Sequence, residues 1–191
     1  MNDTRERLLV TGERLFRVQG YSGTGLKQLA REAEAPWSSM YHFFPGGKQQ
    51  LGAEVVRYAA DRYAALIAKA FAAYSDPADA VAAMFKAEAK ILGESKFRNG
   101  CPVAAVTLDV ASTVEELRGP CAEAFGLWIG TIARGLATTG LPEKDARVLA
   151  SYVLSSLEGA ILLSRAEHST APLDRTANFV VQTIRTKLPK G

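Results

Sequence analysis

Residues 24–51 read Thr24-Gly25-Leu26-Lys27-Gln28-Leu29-Ala30-Arg31-Glu32-Ala33-Glu34-Ala35-Pro36-Trp37-Ser38-Ser39-Met40-Tyr41-His42-Phe43-Phe44-Pro45-Gly46-Gly47-Lys48-Gln49-Gln50-Leu51. Thr24 is placed to N-cap a helix, because its hydroxyl oxygen accepts from a free first-turn amide. Leu26, Leu29, Ala30 and Ala33 recur at helical spacing behind it and leave Lys27, Gln28 and Arg31 to solvent. A second helix starts near Pro36, whose missing N–H is not needed in a first turn. Too short to support itself, it carries Trp37, Ser38, Ser39, Tyr41 and His42 outward and Met40, Phe43 and Phe44 inward. In a DNA major groove the outward set offers hydroxyls, an imidazole and flat apolar faces to base edges and phosphates. Two short helices, a tight turn and an aromatic outer face are the pattern of a helix-turn-helix.

Working outward, a first helix is expected over 4–19, with Leu8, Gly12, Leu15 and Phe16 on one face and Gly20 closing it. Pro45-Gly46-Gly47 breaks the chain before a long helix from Lys48 to Tyr74, which joins head to body. Ser75 or Asp76 caps the next helix, with Pro77 in its first turn, and Val81, Met84, Phe85, Glu88, Ile91 and Leu92 continue it. Asn99-Gly100 ends a helix, and Pro102 starts a short one that stops near Ala111. Two further long helices are expected over 142–167 and 171–187.

The chain has 191 residues, 48% of them apolar, with almost no β-branched alternation, so the fold class is all-α. That length suits a small head on a larger helical body, divided as 1–50 and 51–191. The net charge is only +3, and residues 1–50 hold seven Lys or Arg (5, 7, 14, 17, 27, 31, 48) against five Asp or Glu (3, 6, 13, 32, 34). Bulk charge therefore does not mark a nucleic-acid binder, and only the placement of the basic residues bears on one. Lys27 and Lys48 sit at helix starts beside the groove face, where free amides also favour phosphate. The candidate DNA contacts are Thr24, Lys27, Trp37, Ser38, Ser39, Tyr41, His42 and Lys48.

Cys101 and Cys121 are too few for a disulfide framework, and no Cys/His cluster has zinc spacing. His42 and His168 stand far apart without a catalytic partner, and the glycines form neither a phosphate loop nor a dinucleotide fingerprint. No metal, cofactor or enzymatic activity is expected. Charge interrupts the apolar stretches before the roughly 18 residues of a membrane span. Asp3, Arg5, Glu6 and Arg7 preclude a signal-peptide core, so a soluble, cytoplasmic protein without a membrane partner is expected.

The head resembles the DNA-binding motif of the tetracycline-repressor-like (TetR/AcrR) transcription regulators. The residues that carry the resemblance are Phe16, Gly20-Tyr21, Thr24, Leu29-Ala30, Ala33, Ser39, the Tyr41-His42-Phe43-Phe44 run, Lys48 and Leu51. Glu34 departs from it, standing where the family usually has the turn glycine. If that position needs a positive φ, Glu there costs about 1–2 kcal/mol. In the body, Gly100-Cys101-Pro102-Val103 resembles an element of the LmrA/YxaF-like branch, followed in order by Pro120-Cys121 through Leu136, Leu157-Glu158-Gly159-Ala160 and Ala171-Pro172-Leu173.

Ser151, Ser155 and Gly159 form a small-residue stripe on which another helix can approach closely, flanked by Ala146, Ala150, Leu154, Leu157 and Ile161. Leu173, Ala177, Val180, Ile184 and Leu188 make a second apolar stripe. Periodicity leaves core and interface open for both. The resemblance implies a homodimer through the last two helices, with Ser151, Leu154, Ser155, Gly159, Leu173, Val180 and Ile184 at the interface. A short reading helix makes few base contacts, so two heads on successive half-sites of a near-palindromic double-stranded operator are expected.

Met84, Phe85, Ile91, Phe97, Cys101, Val103, Val106, Leu127, Trp128 and Ile132 read as core on composition alone. The resemblance places an effector pocket there, for an apolar or amphipathic small molecule. Cys101, at a helix N-cap, also raises a redox or electrophile sensor as an alternative to a small buried thiol. The reading as a whole is a ligand-responsive repressor; the alternative is a helical small-molecule carrier or interaction module without DNA activity.

Overall fold

The computed structural model describes residues 4–189, so Asp3 of the N-terminal charge cluster lies outside it. Among the described residues there are nine helices and no strand: α1 (Thr4–Gln19), α2 (Leu26–Glu32), α3 (Trp37–Phe43), α4 (Gly47–Ala73), α5 (Pro77–Glu94), α6 (Pro102–Val110), α7 (Glu115–Ala137), α8 (Glu143–Glu167) and α9 (Ala171–Lys187). They group into two compact units, one of residues 1–62 with 101–125 and the other of residues 63–100 with 126–191. Both α4 and α7 pass from one unit to the other. The first unit thus takes in α6 and the start of α7, elements that a serial division at residue 50 assigns to the body.

In the first unit α1 buries Leu8, Leu9, Leu15 and Phe16 and packs against α2, α3 and α6. Gly12 allows close approach of α4, since a Cβ there would stand 2.6 Å from Val55 Cγ2. The Glu13 carboxylate is also buried, and a buried charge is tolerable only when paired. Arg62 Nη1 reaches it at 2.5 Å and Arg17 Nη2 at 3.6 Å. Gly20 ends α1 at φ +73°, with its N–H donating to Phe16 O at 3.0 Å.

In the second unit α5, α8 and α9 pack on one another. Asp76 caps α5, its Oδ1 accepting from Ala78 N at 2.8 Å, and Pro77 fills the first turn. Arg185 of α9 bonds Asp76 at 3.3 Å and Asp79 at 2.7 Å. Ala146, Ala150, Leu154, Leu157 and Ile161 form the buried face of α8. By length and composition alone α8 could cross a bilayer, which the charge spacing did not anticipate; its buried face makes it a core helix of this unit. Pro120 lies inside α7, which begins five residues earlier at Glu115.

Candidate DNA-binding face

The reading pair hangs on a small apolar centre. Leu29, Ala30 and Ala33 of the first helix and Met40 and Phe44 of the second are buried together with Leu8, Phe16, Tyr21, Leu51 and Val55. With Met40 fixed inward, helical geometry turns its neighbours outward. Trp37 is 43% exposed and Tyr41 52%, their rings edge to face with centroids 5.5 Å apart. Ser38 and His42 are exposed, Ser39 is half-buried, and Phe43 is half-buried with its ring 4.8 Å from that of His42. The result is a polar and aromatic surface one short helix long.

The turn between α2 and α3 is a Schellman motif in which Glu34 N–H donates to Arg31 O at 3.1 Å and Ala35 N–H to Ala30 O at 3.0 Å. The motif needs a left-handed residue between helix end and exit, and Glu34 takes that place at φ +50°. Arg7 Nη2 donates to Glu34 O at 3.2 Å and ties the turn to α1.

Thr24 is corrected on both counts. The N-cap of α2 is Gly25, without a side-chain capping bond, while Thr24 is buried and its Oγ1 donates to Gly20 O at 2.7 Å. A hydroxyl spent inside the α1–α2 turn reaches neither the helix amides nor a DNA backbone. Lys27 is exposed on α2. Lys48 is half-buried; its Nζ donates to Ser22 O at 3.3 Å and lies 4.5 Å from the Tyr21 ring centroid. Burial lowers the Lys48 pKa from the usual lysine value, against the opposing pull of Asp109. The Tyr21 phenol is raised, first by burial and then by the Glu116 and Asp109 carboxylates.

The interface residues read from the sequence separate into two groups. Ser155 and Gly159 are exposed and Ser151 is half-buried. Leu154, Leu173, Val180 and Ile184 are buried within the protomer. The exposed apolar groups nearby are Val148, Leu162 and Leu163 of α8 and Phe179 of α9, the largest being Val148 at 66% and Phe179 at 65%. Val148, Ser155, Gly159 and Leu162 lie on one helical stripe; Val148 and Leu162 are not among the interface residues read from the sequence, and their helical register with Ser155 and Gly159 is the signal that could have found them. Beside it Leu141, Val148, Leu149, Tyr152, Phe179 and Thr183 line a groove of about 690 Å³ with Asp145 and Lys187.

The effector set is divided as well. Met84, Phe85, Ile91, Phe97, Leu127, Trp128 and Ile132 belong to the second unit, and Cys101, Val103 and Val106 to the first. Phe85, Trp128, Ile132, Val103 and Val106 are fully packed, whereas Leu127 is exposed. Tyr63 lies against Trp128 with centroids 5.5 Å apart, and Phe97 against His168 at 5.6 Å. Cys101 caps α6, its Sγ accepting from Ala104 N at 3.4 Å.

Residues 8–55 match the family model of bacterial regulatory proteins of the tetR family, and residues 77–179 match that of the C-terminal domain of LmrA/YxaF-like transcriptional regulators. The chain is 36% identical to the uncharacterized HTH-type transcriptional regulator YxaF of Bacillus subtilis over 185 residues, 97% of each chain. It is also 36% identical to the HTH-type transcriptional regulator LmrA of the same organism over 183 residues, 96% of this chain and 97% of that one. A TetR transcriptional regulator from Legionella pneumophila has the same fold, with a TM-score of 0.83, 24% identity and coverage of 96% of this chain and 98% of that one. These relatives are transcription regulators rather than enzymes, and together with the helix-turn-helix formed by α2 and α3 they identify the chain as a helix-turn-helix transcriptional regulator of the TetR family, in its LmrA/YxaF-like branch.

Proposed function

We propose that the chain is a ligand-responsive repressor that binds a near-palindromic operator as a homodimer and leaves it when a small apolar or amphipathic molecule occupies the body. The observation that carries this reading is the α3 surface, where Trp37, Ser38, Tyr41 and His42 stand exposed over the anchors Met40 and Phe44. A helix that buries one side and leaves aromatic, hydroxyl and imidazole groups on the other is equipped for base edges and phosphates. Ser39, Lys27 and Lys48 extend that surface.

Two heads are needed because one seven-residue helix makes too few base contacts for specific affinity. The exposed stripe of α8, with Ser155 and Gly159 between Val148 and Leu162, and Phe179 of α9 are offered as the dimer face. Residues 1–50 read DNA in this scheme, and 51–191 pair the protomers and take the effector among the apolar groups around Met84, Phe97, Leu127 and Trp128. A regulator acting on a chromosomal operator would work in the cytoplasm. Release is a population shift: the ligand favours a body in which the head spacing no longer matches the half-sites, and coupling of about 1–3 kcal/mol weakens binding roughly 5–150-fold.

The test is selection of duplexes from a random-core pool by the full-length protein, followed by fluorescence anisotropy on the selected duplex. Tyr41→Ala and His42→Ala should each lower affinity by about tenfold or more while the melting temperature stays within a few degrees of wild type. Absence of any selected sequence would support a carrier or interaction module instead. Unchanged affinity in both variants would remove α3 from the contact surface.

A further inference from the structure

The turn that feeds the reading pair is held by a residue far along the chain. Ser22 N–H donates to Asp109 Oδ2 at 2.6 Å, and Ser22 Oγ donates to Asp109 Oδ1 at 2.8 Å, so a single carboxylate at the end of α6 takes both donors of one turn residue. The remaining backbone group of that residue, Ser22 O, accepts from Lys48 Nζ at 3.3 Å. Gly20 completes the seat. It sits at φ +73°, and a Cβ there would lie 3.2 Å from Asp109 Oδ2, so a side chain at residue 20 would crowd the carboxylate.

All these groups belong to the first unit. Only Gly23, Thr24 and Gly25 separate Ser22 from α2, and Thr24 is itself fixed to Gly20 O. The Ser22–Asp109 contact therefore acts on the short link by which α2 leaves α1, beside the bonds from Gln19 Nε2 to Gly23 O at 2.7 Å and from Thr24 Oγ1 to Gly20 O. We propose that Asp109 is a positioning residue for DNA reading: through Ser22 it holds α2 and α3 in the pose that fits the groove. This inference rests on the DNA-reading role proposed above.

Simple electrostatics predicts the opposite sign, which makes the idea testable. Asp109 places a negative charge in the unit that carries the reading helix, and removing it should strengthen binding to any DNA by reducing phosphate repulsion. Loss of positioning should instead weaken binding to the selected sequence alone. Both Ser22 and Asp109 are exposed, so water replaces part of the lost contact and the expected effect is moderate.

Full-length protein is measured against the duplex it selects from a random-core pool and against a scrambled duplex of equal length, at two salt concentrations. Asp109→Ala and Asp109→Asn should bind the selected duplex about fivefold to twentyfold more weakly and the scrambled duplex as well as wild type or better. Ser22→Ala should lose about twofold to fivefold, Ser22→Thr, which keeps both donors, should restore wild-type affinity, and the double Asp109→Ala/Ser22→Ala variant should be no worse than Asp109→Ala. Hydrogen exchange gives a second reading independent of DNA, because the Ser22 amide should exchange faster in Asp109→Ala. Selected-duplex affinity that is equal or higher in both Asp109 variants overturns the proposal, as does an unchanged Ser22 exchange rate. Failure of the wild type to select any sequence would bring down the DNA-reading role and this inference together; failure of the positioning idea alone leaves wild-type selection intact.

Discussion

Replacing Glu34 by glycine should make the protein more stable, although it removes every side-chain atom at the site. Glu34 holds φ +50° because the Schellman turn requires a left-handed residue there. For a residue with a Cβ that conformation costs about 1–2 kcal/mol, and glycine removes the cost. Glycine also widens the unfolded ensemble, which takes back about 0.4–1 kcal/mol. Among the described residues the Glu34 carboxylate makes no hydrogen bond or ion pair, and the bond from Arg7 goes to the backbone carbonyl, which glycine keeps. The net expectation is a gain of about 0.5–1 kcal/mol, a rise in melting temperature of about 1–4 °C for a chain of this size. Glu34→Ala is the control, since alanine keeps the Cβ and the strain while also removing the charge at the negative end of α2. Differential scanning calorimetry of the three proteins decides the matter. A lower melting temperature for Glu34→Gly, or an equal rise in Glu34→Ala, would refute the strained-turn argument.

Gly12→Ala should destabilise the head by about 1–2 kcal/mol despite alanine's better helix propensity, because the new methyl meets Val55 Cγ2 at 2.6 Å; chemical denaturation should show Val55→Ala partly rescuing it, and an unaltered midpoint would be inconsistent with this packing. At Gly159 a Cβ would meet no heavy atom of the protomer within 4 Å, so Gly159→Trp should leave circular dichroism unchanged while sedimentation shows weakened self-association; wild-type association in that variant would move the dimer face elsewhere. Tyr21 has a folded pKa raised above its unfolded value near about 10, so the stability from its neutral phenol is full below about pH 10 and disappears as pH rises through the folded value. Tyr21→Phe should therefore lose less stability than wild type between about pH 9.5 and 11, and parallel pH profiles would show that Tyr21 is not the group responsible.

Much of this molecule was legible because its helices are punctuated by residues with narrow backbone roles. Gly20 ends α1, Asp76 and Pro77 open α5, and Cys101-Pro102 opens α6, each where the sequence places it. The split of α3 into Trp37, Ser38, Tyr41 and His42 outside and Met40 inside, with Phe44 buried at its C-cap, was legible for the same reason: seven residues have only one apolar side to bury; Phe43, read as inward, is only half-buried. The last two helices resisted the same treatment. α8 is apolar nearly all round, so spacing identified stripes without saying which of them faces inward, and Leu154, Leu173, Val180 and Ile184 proved to be core while Val148, Leu162 and Phe179 face outward. Thr24 misled because a threonine before a helix can either cap it or fold its hydroxyl back into the preceding turn, and Gly20 O took it. Contacts across large sequence distance, such as Ser22 with Asp109, leave no periodic trace at all.

The first unit, built from residues 1–62 together with 101–125, also limits how this regulator can be cut and recombined. A fragment ending at residue 62 would leave Tyr21 and Gly52 without the Leu117 side chain whose Cδ2 lies 3.0 Å from where a Gly52 Cβ would stand, and would strip the α6 packing from α1. Grafting residues 1–62 alone onto a foreign sensor should therefore give a poorly folded reader, whereas a chimera that carries 101–125 along with it should remain soluble and fold. The reading pair of this chain is thus expected not to behave as a detachable cassette, and exchange of recognition helices between relatives is expected to succeed only where residues 101–125 travel with them.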